Sequence, residues 1–333
     1  MIIKRDLHLQ KLIAAKHNGL VKVVTGLRRC GKSFLLFNLF REHLLQSGVT
    51  PNHIIAIDLE KAVDASLLNP VTLLEHIQAR IINDGKWSYV LIDEIQNCQT
   101  VLLDGVDVSR IHPNDIDKAY VSFHKTLAAL RSMPNVDVYV TGSNSKMLAS
   151  DIATEFRGRS ETIALAPLDF AEFMSLRTDA RDLYSVFYEY LDFGGLPECV
   201  LRATEEQKTA YLSNLYTTIY LRDIAERYGL KNDLLLETLT RILMSNIGGL
   251  VNPTKLANAV GTEMGIKSNN VTIGRYLDHL SDAFIVSKAL RYDVKGRHYF
   301  NTPMKYYAAD CGLRNAALNF RQTERPHLRL CKE

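Results

Sequence analysis

The amino-acid sequence predicts an α/β fold: a parallel sheet with helices on both faces, followed by a helical lid and a winged-helix-like C-terminal domain. Two observations predict it. Short β-branched runs alternate with helical patterns over the first half of the chain, which is typical of βα units around a parallel sheet. After Pro167 the strand pattern stops and the periodicity becomes almost entirely helical. The expected domains are residues 1–166, 167–230 and 231–333.

The expected strands of the first domain are short and strongly apolar, so we predict that they are buried on both faces. Between the first two of them, residues 33–46 carry apolar side chains around much of a helical circumference, which predicts a buried helix. The strands are predicted at residues 21–25, 53–58, 89–92, 137–141 and 162–165.

The rest of the chain is expected to form two smaller bodies. Residues 169–228 predict a compact helical subdomain that is interrupted at Gly194-Gly195-Leu196-Pro197. Beyond it, three helices are predicted at residues 233–247, after Pro253 and at residues 269–283. Two strands, 284–290 and 298–300, would flank a turn at Lys295-Gly296-Arg297. Three helices with a hairpin indicate a winged helix.

The composition is that of an ordinary globular protein. The 333 residues are 47% hydrophobic and 23% charged, with a net charge of +3. Residues 241–300 hold eight basic against four acidic residues, a net +4, so the basic end is the C-terminal one. Five scattered cysteines without a C-x-x-C pair fit neither a disulfide framework nor a zinc site. With no apolar run of about 18 residues and no signal-peptide pattern, we expect a cytoplasmic protein without membrane association.

A glycine-rich motif joins the first predicted strand to the first long helix. Gly26-Leu27-Arg28-Arg29-Cys30-Gly31-Lys32-Ser33 matches G-x-x-x-x-G-K-[ST], the phosphate-binding P-loop. Its glycines permit positive φ and close backbone approach, and the helix N-terminus supplies positive potential. Lys32 is expected to reach the β and γ phosphates and Ser33 to ligate Mg²⁺. Phe34, the next residue, is also predicted to bind the nucleotide.

Two carboxylates end a second apolar strand. Asp93 and Glu94 follow Val90-Leu91-Ile92 and lie 61 residues beyond Lys32. Acids at a strand end often cap the next helix, but the upstream loop favours a functional interpretation. Asp93 would then hold Mg²⁺, and Glu94 would polarise a water for attack on the γ-phosphate. The interval leaves room for an extra strand, 53–58, between the two motif strands, an arrangement that goes with ATPases that use a glutamate.

Polar and basic residues follow the later strands. A polar side chain in Thr141-Gly142-Ser143-Asn144 could sense the γ-phosphate, although an ordinary turn is the alternative. Arg157 and Arg159 precede the last strand, where arginine could stabilise the transition state, often from a neighbouring subunit, or form a solvated turn. No N-K-x-D or T-K-x-D motif reads guanine. The sequence therefore favours ATP, with Mg²⁺, over GTP.

Taken together, these motifs resemble bacterial and archaeal AAA+ ATPases of the AAA_14 family, whose ATPase domain is followed by a domain catalogued as DUF4143. The resemblance covers nearly the whole chain and is closest to the Orc-like and signal-transduction branches of the superfamily. It rests on residues 26–33 and on Leu91-Ile92-Asp93-Glu94-Ile95-Gln96, Thr141-Gly142-Ser143-Asn144-Ser145-Lys146-Met147-Leu148, Phe156-Arg157-Gly158-Arg159, Ala166-Pro167-Leu168-Asp169-Phe170-Ala171-Glu172-Phe173 and Gly194-Gly195-Leu196-Pro197-Glu198.

The resemblance implies further roles. Asn144 or Ser143 would be the sensor, and Arg157 and Arg159 would be arginine fingers. Pro197 would belong to a lid segment near adenine, for which a helix-breaking turn is the alternative. Relatives of this kind commonly continue into a domain that resembles restriction endonucleases, which leaves open that the chain is a truncated form. Nuclease activity is therefore not expected of residues 1–333.

Two functions follow from these patterns. The first is an ATP-driven switch or motor, for which an arginine acting in trans would require a homo-oligomer. The second is a nucleotide-regulated protein that binds DNA through residues 253–300 with little turnover. In that case the helix at 268–282 would present polar and basic side chains to a groove. These are Lys267, Asn269, Asn270, Thr272, Arg275 and Tyr276. A small-molecule kinase lacks any acceptor signature in the sequence.

Overall fold

The computed structural model divides the chain into two compact units by their internal contacts. One contains residues 2–26 and 31–165, and the other contains residues 27–30 and 166–333. The structure describes residues 3–61, 65–103, 105–107, 109, 111–112, 115–116, 119–143, 158–177, 182–230, 233–265, 268–290 and 304–320.

The first unit is built on a five-stranded parallel sheet. Its strands are β1 (Val21–Thr25), β2 (Ile54–Asp58), β3 (Ser88–Asp93), β6 (Val136–Gly142) and β7 (Ser160–Ala164). They lie in the order β2-β3-β6-β1-β7, and all four neighbouring pairs are parallel. A two-stranded antiparallel pair, β4 (Val101–Leu102) and β5 (Tyr120–Val121), stands apart from this sheet. The predicted α/β class is confirmed.

The burial of the strands follows their place in the sheet. Every residue of the three central strands β1, β3 and β6 is buried, as predicted. The edge strand β2 alternates between buried and more exposed residues, and within the edge strand β7 only Ile163 is buried, so for these two the expectation of burial on both faces is wrong. Although β2 lies between β1 and β3 along the chain, it lies at the edge of the sheet. The strand that separates β1 from β3 in space is β6.

Helices cover both faces of this sheet. On one face, alternate strand residues such as Val90 and Val138 form a core with helices α3 (Pro70–Gln78) and α4 (Phe123–Ser132). Tyr139 lies on the opposite face, where its ring contacts Phe40 at 4.5 Å. Phe40 belongs to the helix α2, which runs through Lys32–Phe34, a π-helical Leu35–Phe40 and Arg41–Gln46. Helix α1 (Asp6–Ala14) precedes the sheet along the chain.

The other unit begins with helices, as the loss of strand pattern predicts. Asp169 caps α5 through a reciprocal capping box with Glu172. The helices are α5 (Phe170–Met174), α6 (Leu183–Phe193), α7 (Pro197–Val200) and α8, a continuous helix of Glu205–Asn214, the π-helical Leu215–Leu221 and Arg222–Tyr228.

Three helices and a small sheet follow within the same unit. In chain order they are α9 (Asp233–Ser245), β8 (Leu250–Val251), α10 (Pro253–Met264), α11 (Asn270–Asp282), β9 (Val286–Ala289), β10 (Met304–Ala308) and α12 (Cys311–Ala317). The strands are antiparallel in the order β8-β10-β9. The strand predicted at 298–300 and its turn lie outside the described residues. The strand that pairs with β9 in the structure is β10, which the sequence analysis missed.

A buried aspartate explains the glycines that interrupt the helical segment. Asp310 caps α12 and also accepts a hydrogen bond of 2.7 Å from Gly195 N. A Cβ on Gly194 would lie 2.1 Å from Asp310 Oδ1, and one on Gly195 would lie 2.0 Å from the backbone oxygen of Leu168. Burial raises the pKa of Asp310 to about 6, against the opposing effect of its backbone donors. The Gly194-Gly195 pair is therefore required by close approach.

Candidate functional site

The P-loop joins the carboxyl end of β1 to the start of α2. Gly26 and Gly31 have φ of +152° and +100°, and Arg29 takes +66° in the left-handed region that few non-glycine residues adopt. Gly31 is the N-cap of α2, so the free N–H groups of the first helical turn face the loop. This backbone gives the loop the positive potential that binds phosphate.

Lys32 is held inside this loop although its ammonium carries a charge. Its side chain is only 3% exposed, and Nζ donates to the carbonyl oxygen of Gly26 at 3.3 Å. Nζ also lies 3.7 Å from Glu94 Oε1. Buried charges are costly unless they are paired, and here the Glu94 carboxylate lies beside the Lys32 side chain. The structure thus brings together two residues that lie far apart in the sequence.

Asp93 ends β3 at the same edge of the sheet. It is buried, and burial raises its pKa above the ordinary value, although hydrogen bonds from Thr141 and Ser33 oppose this rise. Ser33 follows Lys32 in the first turn of α2. A hydroxyl and a carboxylate in hydrogen-bond contact provide two hard oxygen ligands, which is the donor chemistry that Mg²⁺ prefers. The residues present therefore fit a magnesium ion bound together with phosphate.

Glu94 takes a constrained backbone conformation directly after the strand. Its φ is +49° and its ψ is 53°, in the left-handed region. Its N–H donates to Thr141 Oγ1 at 2.9 Å, and the same hydroxyl donates to Asp93 Oδ1. Thr141 is completely buried at the end of β6. One hydroxyl therefore fixes both acids, and backbone strain of this kind is typical of functional sites.

A second residue contacts Glu94 from the turn that follows. Gln96 Nε2 donates to Glu94 Oε2 and, at 3.3 Å, to Ser143 Oγ. Ser143 is buried at the end of β6, so the structure places this sequence-predicted residue beside the carboxylate pair. Sequence reasoning assigned no role to Thr141 individually or to Gln96. Their position beside the motif residues is the only signal that could have found them.

Two comparisons of sequence identify the family. Residues 18–174 match the family model AAA_14, which is described as an AAA domain. An uncharacterized protein of Haemophilus influenzae is 34% identical over 320 residues, which are 95% of this chain and 74% of that protein. The chain belongs to the AAA_14 family. An uncharacterized protein of Methanocaldococcus jannaschii, MJ1544, is 26% identical over 329 residues, which are 96% of this chain and 66% of that protein.

A solved structure supports the fold of the AAA domain and of the residues beyond it. The Walker-type ATPase PABY2304 of Pyrococcus abyssi is similar with a TM-score of 0.62 at 15% identity, and the match covers 95% of this chain and 96% of that one. At this identity the likeness shows the fold, which is that of P-loop NTPases. Residues 185–324 match a domain of unknown function, DUF8612. The expected link to DUF4143 stays a prediction.

The apex of the P-loop has its own set of contacts. Residues 27–30 belong by their contacts to the unit that contains residues 166–333. Arg28 Nη1 lies 3.3 Å from Asp223 Oδ1, and Arg29 Nη1 lies 3.2 Å from Glu198 Oε1. The two arginine side chains are 36% and 45% exposed. Each pair is therefore expected to contribute at most about 1 kcal/mol.

Among the remaining predicted site residues, the structure describes Arg159 and Pro197, each within its own unit. Arg159 lies at the start of β7, where its carbonyl oxygen accepts a hydrogen bond from Val21 N. Because the strands are parallel, Arg159 is separated from Gly26 by the whole length of β1, about 16 Å at 3.3 Å per residue. Pro197 opens the short helix α7 in the other unit. Asn144 and Arg157 lie outside the described residues.

Helix α11 only partly matches its expected binding face. Asn269, Asn270 and Arg275 are exposed and Thr272 is half-buried, whereas Tyr276 is 7% exposed and packs into the core. The expectation that Tyr276 faces a groove is wrong, because it occupies a core-facing helical position next to Ile273 and Leu277. Lys267 lies outside the described residues. In the part of the chain that the structure describes, no helix is both long enough and apolar enough to cross a membrane.

Proposed function

We propose that this AAA domain binds Mg-ATP and hydrolyses it to ADP and phosphate, and that it acts as a nucleotide-driven switch. The observation that supports this proposal most strongly is the 3.7 Å approach of Lys32 to Glu94. A P-loop lysine and a carboxylate pair at one edge of a parallel sheet are the parts that phosphoryl transfer requires. The absence of a guanine-reading motif in the sequence favours ATP.

Each residue has a distinct part in the proposed reaction. The backbone of residues 26–31 would bind the phosphates, with Lys32 adding positive charge at the β and γ positions. Ser33 and Asp93 would hold Mg²⁺, which when bound neutralises charge that develops on the phosphates. Glu94 would accept a hydrogen bond from the attacking water and take its proton. Nucleotide would then compete with Glu94 for Lys32, because the γ-phosphate carries more negative charge than a carboxylate.

For Arg159 we propose a role as an arginine finger at the nucleotide of a neighbouring subunit. Its separation from the P-loop by the length of β1 argues against contact with the nucleotide of its own chain. An arginine finger supplied in trans would need a homo-oligomer, as proposed for Arg157 as well. Ser143 or Asn144 as sensor, and Pro197 near adenine, remain part of the same proposal.

Two substitutions test the proposal with separate readouts. Lys32→Ala should weaken Mg-ATP binding in calorimetry by at least about tenfold, because it removes a buried charge-assisted contact. Glu94→Gln should keep binding but lower phosphate release by about 10²- to 10⁴-fold, the usual contribution of a general base. Lys86→Ala and Glu75→Gln are the matched controls, because both side chains are exposed and lie on other elements. Normal turnover in Glu94→Gln would remove Glu94 from its role.

One observation supports DNA binding as a second candidate. The order of three helices and three strands, α9-β8-α10-α11-β9-β10 with sheet order β8-β10-β9, is the order that the proposed winged helix would have. Exposed Asn270 and Arg275 on α11 could contact a phosphate backbone. Duplex affinity should then fall steeply with salt concentration as counterions are released, and Arg275→Ala should reduce that slope. Binding that does not respond to salt, or no binding at low salt, contradicts this candidate.

A further inference from the structure

Gln96 presents a buried acceptor beside the proposed catalytic carboxylate. It lies in the short turn Ile95–Asn97, directly after β3 and Glu94. Its amide nitrogen donates to Glu94 Oε2 and to Ser143 Oγ, so both of its N–H groups have partners. Its amide oxygen is buried and has no hydrogen-bond partner among the residues that the structure describes.

Hydrogen-bond chemistry fixes the orientation of this amide. The two ends of a glutamine side chain are close in shape, and which end is nitrogen follows from the partners. An ionised carboxylate can only accept hydrogen bonds, so the end that contacts Glu94 must be the NH₂ group. The unpartnered atom is therefore the oxygen. Leaving a buried acceptor unpaired costs about 1–3 kcal/mol, which points to a donor that completes the site.

The geometry indicates what kind of donor this is. The amide oxygen and nitrogen share one carbon, so Oε1 lies close to the Glu94 carboxylate that Nε2 contacts. Gln96 Oε1 lacks a donor, and a carboxylate such as that of Glu94 has lone pairs for further donors. These two neighbouring acceptors suit a molecule that donates twice in a small volume, and water is the simplest such molecule. Lys32 contacts the carbonyl oxygen of Gly26 and the other oxygen of the same carboxylate, Glu94 Oε1.

We propose that Gln96 is a positioning residue that holds the attacking water together with Glu94. This inference rests on the proposed ATP hydrolysis. One O–H of the water donates to Gln96 Oε1 and the other donates to Glu94, whose carboxylate is held by Gln96 Nε2. The water oxygen forms a bond to the γ-phosphorus while the bond between that phosphorus and the β–γ bridging oxygen breaks. The bond electrons leave with ADP, and the water proton passes to Glu94.

Binding to a transition-state mimic tests this role without relying on turnover. Gln96→Ala removes both the donor and the acceptor, whereas Gln96→Glu keeps an acceptor but loses the donor to Glu94. Gln99→Ala is the matched control, because Gln99 is exposed three residues further along the same segment. For each variant, calorimetry gives the affinity for Mg-ADP alone and for Mg-ADP with aluminium fluoride, which mimics the γ-phosphoryl group under attack by water.

We expect both Gln96 variants to bind Mg-ADP within about twofold of the wild type, because its hydrogen-bond partners Glu94 and Ser143 are predicted to act at the γ-phosphate, which ADP lacks. The aluminium fluoride complex should weaken by about 10- to 100-fold and kcat should fall by a similar factor, since a misplaced reactant costs about that much. Gln99→Ala should leave all three quantities unchanged.

Two outcomes would overturn the assignment. Gln96→Ala with wild-type affinity for the aluminium fluoride complex and wild-type kcat shows that Gln96 does not position the water. Equal weakening of Mg-ADP and of the aluminium fluoride complex shows a structural role in the turn. Failure of the proposed function gives a different result, because the wild-type chain itself would then bind no Mg-ATP or release no phosphate.

Discussion

Thr141→Val should destabilise the nucleotide-binding unit as well as its proposed chemistry. Valine has nearly the shape of threonine, so the substitution removes the hydroxyl and keeps the packing of a completely buried side chain. That hydroxyl accepts from Glu94 N at 2.9 Å and donates to Asp93 Oδ1. Without it, a buried N–H loses its partner and a buried carboxylate loses one of its two side-chain donors.

The magnitude follows from these two losses. An unpaired buried donor costs about 1–3 kcal/mol, and a lost hydrogen bond to a charged group costs about as much. Because Ser33 still contacts Asp93, the expected total is about 2–4 kcal/mol, a large share of a typical unfolding free energy of about 5–15 kcal/mol. Glu94 should also lose its left-handed conformation, which would lower kcat.

The unfolding transition of this unit can be followed by its tryptophan. Trp87 is the one tryptophan of the chain, and it stacks on His17 at 4.1 Å within this unit. Its fluorescence in urea, measured without nucleotide, should report the lower stability of Thr141→Val. Thr141→Ser keeps the hydroxyl and should lie nearer the wild type, losing mainly the packing of one methyl group. Thr141→Val within about 0.5 kcal/mol of the wild type would refute the two-bond reasoning.

Two further predictions concern the other unit. The pKa of Asp310 is about 6 in the folded state and 3.8 ordinarily, so the folded state binds the proton more tightly. The free energy of unfolding should therefore fall by roughly 3 kcal/mol as pH rises from about 4 to about 7. Asp310→Asn should abolish this part of the pH dependence in urea titrations followed by circular dichroism; an unchanged slope would contradict it. Gly195→Ala should cost at least about 2 kcal/mol, because its Cβ would meet backbone. Gly274 lies in open space on α11, so Gly274→Ala should stabilise the unit by up to about 1 kcal/mol. Equal effects of the two alanine substitutions on the melting temperature would contradict the close approach at Gly195.

Much of the fold could be read from local patterns. The five strands of the parallel sheet, the long helix after the P-loop and the helical segment after Pro167 all occur where the periodicity predicts them, within a few residues. The three central strands are recognisable because burial on both faces selects continuous apolar runs, and the helices are recognisable by their 3.6-residue period. The three-domain division stays a prediction, as do the individual roles of the site residues.

Other elements gave no local signal. Strand β10 reads Met-Lys-Tyr-Tyr-Ala, which is not a continuous apolar run. Its two tyrosines pair with the polar residues Lys288 and Ser287 of β9. The residue type alone does not show whether Tyr276 is buried or exposed, because tyrosine is found both in cores and in binding grooves. In these cases neighbours from distant parts of the chain decide the outcome.

The sequence by itself determined the phosphate loop, the strand that ends in Asp93 and Glu94, and the class of fold, because each depends on a short contiguous pattern with its own backbone requirement. Only the tertiary structure decided that Thr141 and Gln96 fix the two acids, and that the backbone N–H of Gly195 donates to Asp310. Those contacts join residues between 2 and 115 positions apart, and a hydrogen bond depends on the distance between atoms in space, which the linear order of residues does not contain.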